Sequence, residues 1–184
     1  TLMSVFFGPV IQQGYVVPDI DLAICHWTER GIGPFFLEEL RNYPAIVDGE
    51  QVVLNLSAAF AYSGEQQIEV IQPEDSVNTI YREYLKSNPE GGLQHLGVWV
   101  DNVPEKIREL ASSGKKFLVR QQYGDRHAYI DSADWSGVMI QLMARDEKID
   151  ELFKIVYQGA KDWDGLSQPV RKIDWSTGWP VQSG

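Results

Sequence analysis

The sequence predicts an α+β fold in which one βαβββ-like module is used twice and a helical extension follows. Three observations predict it. Gln12–Asp19 is echoed by His95–Asn102: each has a polar residue, Gly two places on, an apolar run, and Asp or Asn seven places on. A helix-like stretch follows each copy. Each module then closes on a short β-rich run with a polar centre, Gln67-Ile68-Glu69-Val70-Ile71 and Met139-Ile140-Gln141-Leu142-Met143. Self-similarity of this kind marks one supersecondary unit used more than once.

The elements follow in chain order. Apolar and β-branched residues predict a strand near 10–17 and a helix over 20–30. Gly31, Gly33 and Pro34 separate that helix from a strand near 33–38. Asn42-Tyr43-Pro44 through Asp48-Gly49-Glu50 reads as a loop and turn, with strands near 51–62 and 66–72 after it. A connecting helix over 76–87 ends at Asn88-Pro89-Glu90-Gly91-Gly92. The second module begins with a strand near 94–100 and a helix over 103–113, with Asn102 as N-cap, Pro104 in the first turn and Gly114 as terminator. Strands near 116–122, 126–131 and 137–144 complete it. Ile149, Leu152, Phe153 and Val156 sit at helical spacing, so 147–160 is an amphipathic helix. The remaining tail is expected on the surface, anchored by Trp163, Trp175 and Trp179, or covering a site or a partner. The expected divisions are 8–73 and 93–145 for the modules, 74–92 for the connector and 146–184 for the extension.

Composition excludes several classes. The chain has 184 residues, 43% hydrophobic and 23% charged, which is globular usage. No apolar run approaches the ~20 residues of a membrane span. One cysteine rules out an internal disulfide and a multi-cysteine zinc site. A net charge of −10 gives no electrostatic attraction for nucleic acid. Thr1 to Phe7 lacks the basic start of a secretory signal, so a cytoplasmic location is expected. Lys115, Lys116, Arg120 and Arg126 make the second module the better host for an anionic group.

Four polar side chains stand on apolar strands: Gln12, Glu69, His95 and Gln141, two from each module at matching places. Burying them costs several kcal/mol unless they are paired or bind a ligand. One divalent ion satisfies all four, and imidazole with oxygen donors suits Zn, Ni, Co, Mn or Fe(II) better than Ca. A buried hydrogen-bond network, with the amides holding Glu69 and His95, satisfies them too.

The paired motifs resemble the vicinal oxygen chelate superfamily of glyoxalase I, methylmalonyl-CoA epimerase, extradiol dioxygenases and bleomycin-resistance proteins. The resemblance covers roughly 8–145. It rests on the doubled ligand-x-Gly motif, on Ile68-Glu69-Val70 and Ile140-Gln141-Leu142, and on Trp27 to Phe36. It implies a cupped, mixed, mostly antiparallel sheet, one divalent metal ion held by Gln12, Glu69, His95 and Gln141, a small-molecule partner and a homodimer. The ligand pattern is most similar to glyoxalase I, with Gln141 where that enzyme carries Glu. The implied activity is a metal-dependent lyase or isomerase acting on a small carbonyl or acyl compound through a metal-stabilised enolate. Glu69 would be its base, and a single carboxylate favours a one-base reaction. The alternative is a non-catalytic small-molecule binding protein of the bleomycin-resistance type. Extradiol chemistry needs a second His where Gln12 stands.

Phe36, Trp99, His127 and Tyr129 are the candidate substrate contacts. Strand alternation puts His127 and Tyr129 on one face. Cys25 is expected to be inert, and no phosphate loop, nucleophile elbow or His-Glu-x-x-His motif is present.

Overall fold

A computed structural model describes residues 6–132 and 137–184; the start of the chain and 133–136 in the second module lie outside the described residues. The first module comprises β1 (Val10–Val16), α1 (Ile20–Thr28), β2 (Phe35–Val47), β3 (Glu50–Ser63) and β4 (Gln66–Pro73). α2 (Ile80–Ser87) connects it to β5 (Gly92–Val100), α3 (Val103–Ser112), β6 (Phe117–Tyr123), β7 (His127–Ser132) and β8 (Met139–Ala144). α4 (Glu147–Asp162), β9 (Val170–Asp174) and β10 (Val181–Ser183) follow. The fold is the expected α+β arrangement of paired βαβββ modules.

Sheet order carries the repeat. The strands run β10-β9-β2-β3-β4-β1-β5-β8-β7-β6, so β2-β3-β4-β1 in one module is mirrored as β5-β8-β7-β6 in the other. The seam is the antiparallel pair β1–β5. β2 also meets β6 at Ile46–Gln122 and Val47–Gln121, which closes the sheet around a cup. Arg120 ties this closure together, bonding Asp48 at 2.8 Å and Glu83 at 2.6 Å.

Helix starts follow the sequence. Asp19, Thr79, Asn102 and Asp146 each accept a bond from a backbone N–H in the first turn of α1, α2, α3 and α4. α2 is shorter than expected because Thr79, not a residue near Ser76, is its cap.

Two expectations are corrected. The loop read across 42–50 is mostly strand. β2 runs on to Val47 and turns only at Asp48-Gly49, whose φ values of 48° and 86° make a two-residue hairpin of the primed kind. A register shift between Leu40 and Tyr43, with Asn42 at φ 50°, absorbs the polar residues that look like a loop. Pro44 is tolerated because β2 has no second neighbour between its pairings with β9 and β6. The tail is also more ordered than expected. β9 joins β2 in parallel and β10 joins β9, extending the sheet to ten strands. Trp163 packs over Gly33 and Trp175 reaches Glu38, but Trp179 is an exposed side chain and no anchor.

Three apolar clusters result. α1 covers the outer face of the first module and α3 that of the second. The third cluster fills the cup, where Leu152, Phe153 and Val156 of α4 meet Phe36, Phe60 and Tyr81. Each such fully buried side chain contributes about 1.5–3 kcal/mol. α4 sits close enough that a Cβ at Gly159 would stand 2.6 Å from the Phe36 ring.

Candidate active site

The repeated glycine of the motif has a structural reason. At the seam, Gly14 pairs with His95 and Gly97 pairs with Gln12. A Cβ on Gly14 would lie 1.9 Å from His95 Cε1, and one on Gly97 would lie 2.9 Å from Gln12 Cβ and Oε1. Each polar side chain therefore lies across the other copy's glycine. Gln67 and Glu69 on β4 flank the same seam, with Gln12 opposite Gln67 and Gly14 opposite Glu69. On the other side Gly97 pairs with Gln141. The two modules thus bring Gln12, Glu69, His95 and Gln141 together, all buried.

His95 is fully enclosed, and burial pushes its imidazole down to about 3, against a smaller upward effect of the neighbouring Gln141 amide. The ring is neutral near pH 7. Nδ1 lies 2.8 Å from Gln94 Oε1, an acceptor, so the ring proton is assigned there. Nε2 then presents its lone pair at 3.3 Å from Gln12 Oε1 and 4.0 Å from Glu69 Oε1. Gln12 is oriented by its own Nε2, which donates to Gln67 Oε1 at 2.6 Å, while Gln67 donates to the Tyr62 hydroxyl at 3.3 Å. Gln141 Oε1 is buried with no hydrogen-bond partner.

These groups border a cavity of about 420 Å³. Gln12, Glu69 and Gln141 form its floor, and aromatic rings including Phe60, Tyr81, Tyr129 and Phe153 form its walls. Of the residues expected to touch substrate, His127 and Tyr129 line it. Phe36 is instead in the core beneath α4, with the Arg171 guanidinium 5.6 Å from its ring centroid. Trp99 lies between Phe153 and Arg145, off the cavity wall. His127 Nδ1 is buried without a partner, and burial, reinforced by Arg126, pushes this imidazole down to about 4. Among the four bases picked out in the second module, Arg126 lines the cavity, while Arg120 serves the sheet closure.

The sequence reading missed Glu38. It lies on β2, buried, and faces the same cavity. Trp175 Nε1 donates to its Oε2 at 2.7 Å. Burial pushes its carboxyl up to about 7, against Trp175 and Arg126, which pull it down. Glu69 is pushed up to about 8 by burial and by the charge of Glu38, against a hydrogen bond from Gln12. The cup holds two buried carboxylates, not one, and the less buried Glu39 and Asp146 also line it. The only signal for Glu38 is strand alternation, which sets it on the face of Phe36, but the adjacent Glu39 and Arg41 make the stretch look solvated.

The profile of the Glyoxalase/Bleomycin resistance protein/Dioxygenase superfamily matches residues 11–130. The chain belongs to this superfamily. No curated protein matches it by sequence. Among solved structures it is similar to methylmalonyl-CoA epimerase from Mycobacterium tuberculosis, at 20% identity and TM-score 0.56 over 82% of this chain and 97% of that one. It is similar to a variant of Streptomyces coelicolor methylmalonyl-CoA epimerase in complex with 2-nitronate-propionyl-CoA, at 15% identity and TM-score 0.54 over 77% and 96%. A hypothetical protein from Bacillus halodurans C-125 gives 18% identity and TM-score 0.54 over 76% and 95%. The named structural relatives include epimerases, whereas the ligand pattern points to glyoxalase I. At these identities the likeness is one of fold. Residues 147–184, which supply Ile149, Leu152, Phe153 and Trp175 to the cavity, lie beyond the superfamily match.

The superfamily resemblance implies a divalent cation, and the donor set fits one. Donors at roughly 2.0–2.2 Å from an ion stand roughly 3 Å apart when adjacent and roughly 4.2 Å apart when opposite. The 3.3 and 4.0 Å separations from His95 Nε2 fall in that range. A lone pair facing two oxygens, beside an orphaned carbonyl, is the electron-rich arrangement a cation relieves. Only two of the four donors are ionisable, and no cluster of three His, Cys, Asp or Glu occurs among the described residues. The described residues contain no helix long and apolar enough to cross a membrane.

Proposed function

We propose that this protein is an isomerase or lyase that moves a proton at the carbon beside a carbonyl of a small acid or acyl compound. The observation that carries the reading is the convergence of Gln12, Glu69, His95 and Gln141 at the base of a cavity, with Glu38 as a further buried carboxylate facing it. Gln12, Glu69, His95 and Gln141 would hold the divalent cation, Zn, Ni, Co, Mn or Fe. Such an ion supplies Lewis-acid polarisation of a carbonyl or enolate oxygen.

The chain's own residues do the rest. Glu69 and Glu38 provide two carboxylates for the proton. In the cation-free chain burial raises both above the usual carboxylate range; a cation held by Glu69 would draw that carboxyl down again, which leaves Glu38 as the one poised near neutral pH. Two carboxylates permit removal on one side and return on the other, which a single base does not. Trp175 fixes Glu38 by its indole bond. α4 and the tail wall the cavity from water. Arg126 and Lys148, at the lining, suit an anionic end of the substrate. Pairing into a homodimer is part of the same reading.

One observation favours a second reading, a non-catalytic binding protein. Flipping the Gln12 and Gln67 amides together lets Gln12 donate to His95 Nε2 and Tyr62 donate to Gln67, which satisfies His95 without a cation and leaves the Gln141 carbonyl for a ligand. Metal content by plasma mass spectrometry, on protein purified without chelator and on His95→Ala, separates the two. One transition-metal ion per chain, lost in the variant, supports the enzyme. Loaded protein should also exchange α-deuterium into a panel of acyl thioesters and 2-oxo acids, with Glu69→Gln inactive and folded. Absence of metal after incubation with all five ions, together with absence of exchange, sinks the enzyme reading.

A further inference from the structure

The cavity wall carries a directed chain of hydrogen bonds that the proposed function does not use. It begins at α2, where Ile80 N–H donates to Gln121 Oε1 at 3.2 Å and so fixes the Gln121 amide. Gln121 Nε2 donates to the Tyr123 hydroxyl at 2.7 Å. Tyr81 donates to the Tyr129 hydroxyl at 3.0 Å. A phenol has one proton, so in the 2.7 Å contact between Tyr81 and Tyr123 the donor is Tyr123. The chain therefore runs Gln121, Tyr123, Tyr81, Tyr129, and every proton but the last has an acceptor. Tyr129 accepts from Tyr81 and has no acceptor for its own proton among the described residues. Its side chain is 2% exposed, yet it lines the cavity.

Its place in the site is specific. Tyr129 stands directly across from Gln141 in the β7–β8 ladder, and its ring meets His95 edge-on at 5.1 Å. Tyr129 thus stands beside Gln141 and His95 of the four polar residues. A buried donor with nothing to donate to is costly, and an arriving acceptor relieves it. Donors fixed in advance stabilise oxygen charge without rearranging, and a bond fed by others in series is strengthened.

We propose that Tyr129 is an oxyanion donor, its hydroxyl hydrogen-bonding the substrate's enolate or carbonyl oxygen, with Tyr81, Tyr123 and Gln121 as positioning residues that polarise it. The identity of the oxygen rests on the carbon-acid reading; the donor itself does not. Tyr129 is then a catalytic residue by direct contact, and the hydroxyls of Tyr81 and Tyr123 and the Gln121 amide, each engaged within the chain, polarise it.

Substituted phenolates test this, because they present a single oxyanion of adjustable basicity. An apolar cavity of roughly 150 Å³ takes benzene, so a phenolate is accommodated in this one. Binding of 4-nitrophenolate and weaker and stronger congeners is followed by absorbance, on chelator-treated protein and on protein loaded with Zn. Wild type should bind the anion, more tightly as its basicity rises. Tyr129→Phe should weaken binding roughly 10- to 100-fold, the range for a hydrogen bond to a charged group, and flatten the dependence on basicity. Tyr123→Phe, which keeps the ring at the cavity wall and removes only the hydroxyl that donates to Tyr81, should weaken it roughly two- to fivefold and flatten the slope partly. Circular dichroism and thermal midpoints close to wild type establish that the near-isosteric variants are folded. Failure of wild type to bind any phenolate, equal slopes for wild type and Tyr129→Phe, or no effect of Tyr123→Phe overturns the proposal. Chelator-treated protein makes this result independent of the metal measurement, so the enzyme reading and the donor stand or fall separately.

Discussion

Replacing Glu38 with Gln tests whether the cup holds a second, buried carboxyl. Gln keeps the shape and an oxygen for Trp175 Nε1, so the 2.7 Å bond survives while the titration is lost. In wild type the Glu38 carboxyl moves from 4.5 to about 7 on folding, because burial outweighs Trp175 and Arg126. Between those values the folded chain keeps a proton that the unfolded chain has released. Stability tracks the difference in bound protons, so it falls as pH rises through this window and levels off above it. Integrated from pH 5 to pH 8, the loss assigned to Glu38 is on the order of 2–3 kcal/mol. Glu69 adds a loss of the same sign, and removing the Glu38 charge relieves part of it. His95 and His127 act oppositely, since their lowered values cost stability as pH falls below 6.5. They are common to both proteins and cancel in the difference. Urea unfolding at pH 5 and pH 8 with chelator present should show Glu38→Gln losing less stability than wild type, by an amount on the order of 2–3 kcal/mol. Superimposable pH dependences would refute a buried proton on Glu38.

Other outcomes follow from the same contacts. Gly14→Ala places a methyl 1.9 Å from the His95 ring and should destabilise by about 2–4 kcal/mol in thermal or urea unfolding. Adding His95→Ala should recover part of that loss, because the clash partner is gone. Trp175→Phe removes the donor to Glu38 and should cost about 1–2 kcal/mol at pH 8 and less at pH 5, where the carboxyl is protonated. With Zn added in excess, wild type should gain thermal stability and His95→Ala should not, since ligand binding to the folded state raises its midpoint.

Much of the fold was legible because both modules use the same local rules. The doubled glycine, the N-cap at Asn102, and the apolar spacing of Ile149, Leu152, Phe153 and Val156 each act within a few residues. Gln12, Glu69, His95 and Gln141 were legible for the same reason, since they occupy equivalent strand positions. Tertiary context decided the rest. Asn42 and Pro44 belong to a strand only because a bulge and a missing neighbour accommodate them. The tail forms strands because β2 offers a free edge, which composition alone does not reveal. Glu38 is buried by α4 and Trp175, from residues far away in the chain.

That last dependence changes the chemistry assigned to Gln141. With an amide at the fourth position, the sequence suggests that one carboxylate remains and that a reaction needing two is excluded. The structure places a second carboxylate on β2 of the other module, in the same cavity, and its charge raises Glu69. The two modules are equivalent in fold and unequal in function. The first supplies both carboxyls, Glu38 and Glu69. The second supplies the neutral imidazole, the orphaned Gln141 carbonyl and Tyr123 and Tyr129, which the connecting helix joins through Tyr81. Such a division keeps proton carriers on one side of the cup and fixed polar groups on the other. If the division is functional, Glu38→Gln and Glu69→Gln should each abolish α-deuterium exchange in loaded protein. Gln141→Glu should introduce a third buried carboxyl, raise Glu69 further by like-charge repulsion in chelated protein, and lower stability at pH 8 more than at pH 5. Equal losses at the two pH values would mean that residue 141 does not face Glu69 across the cup.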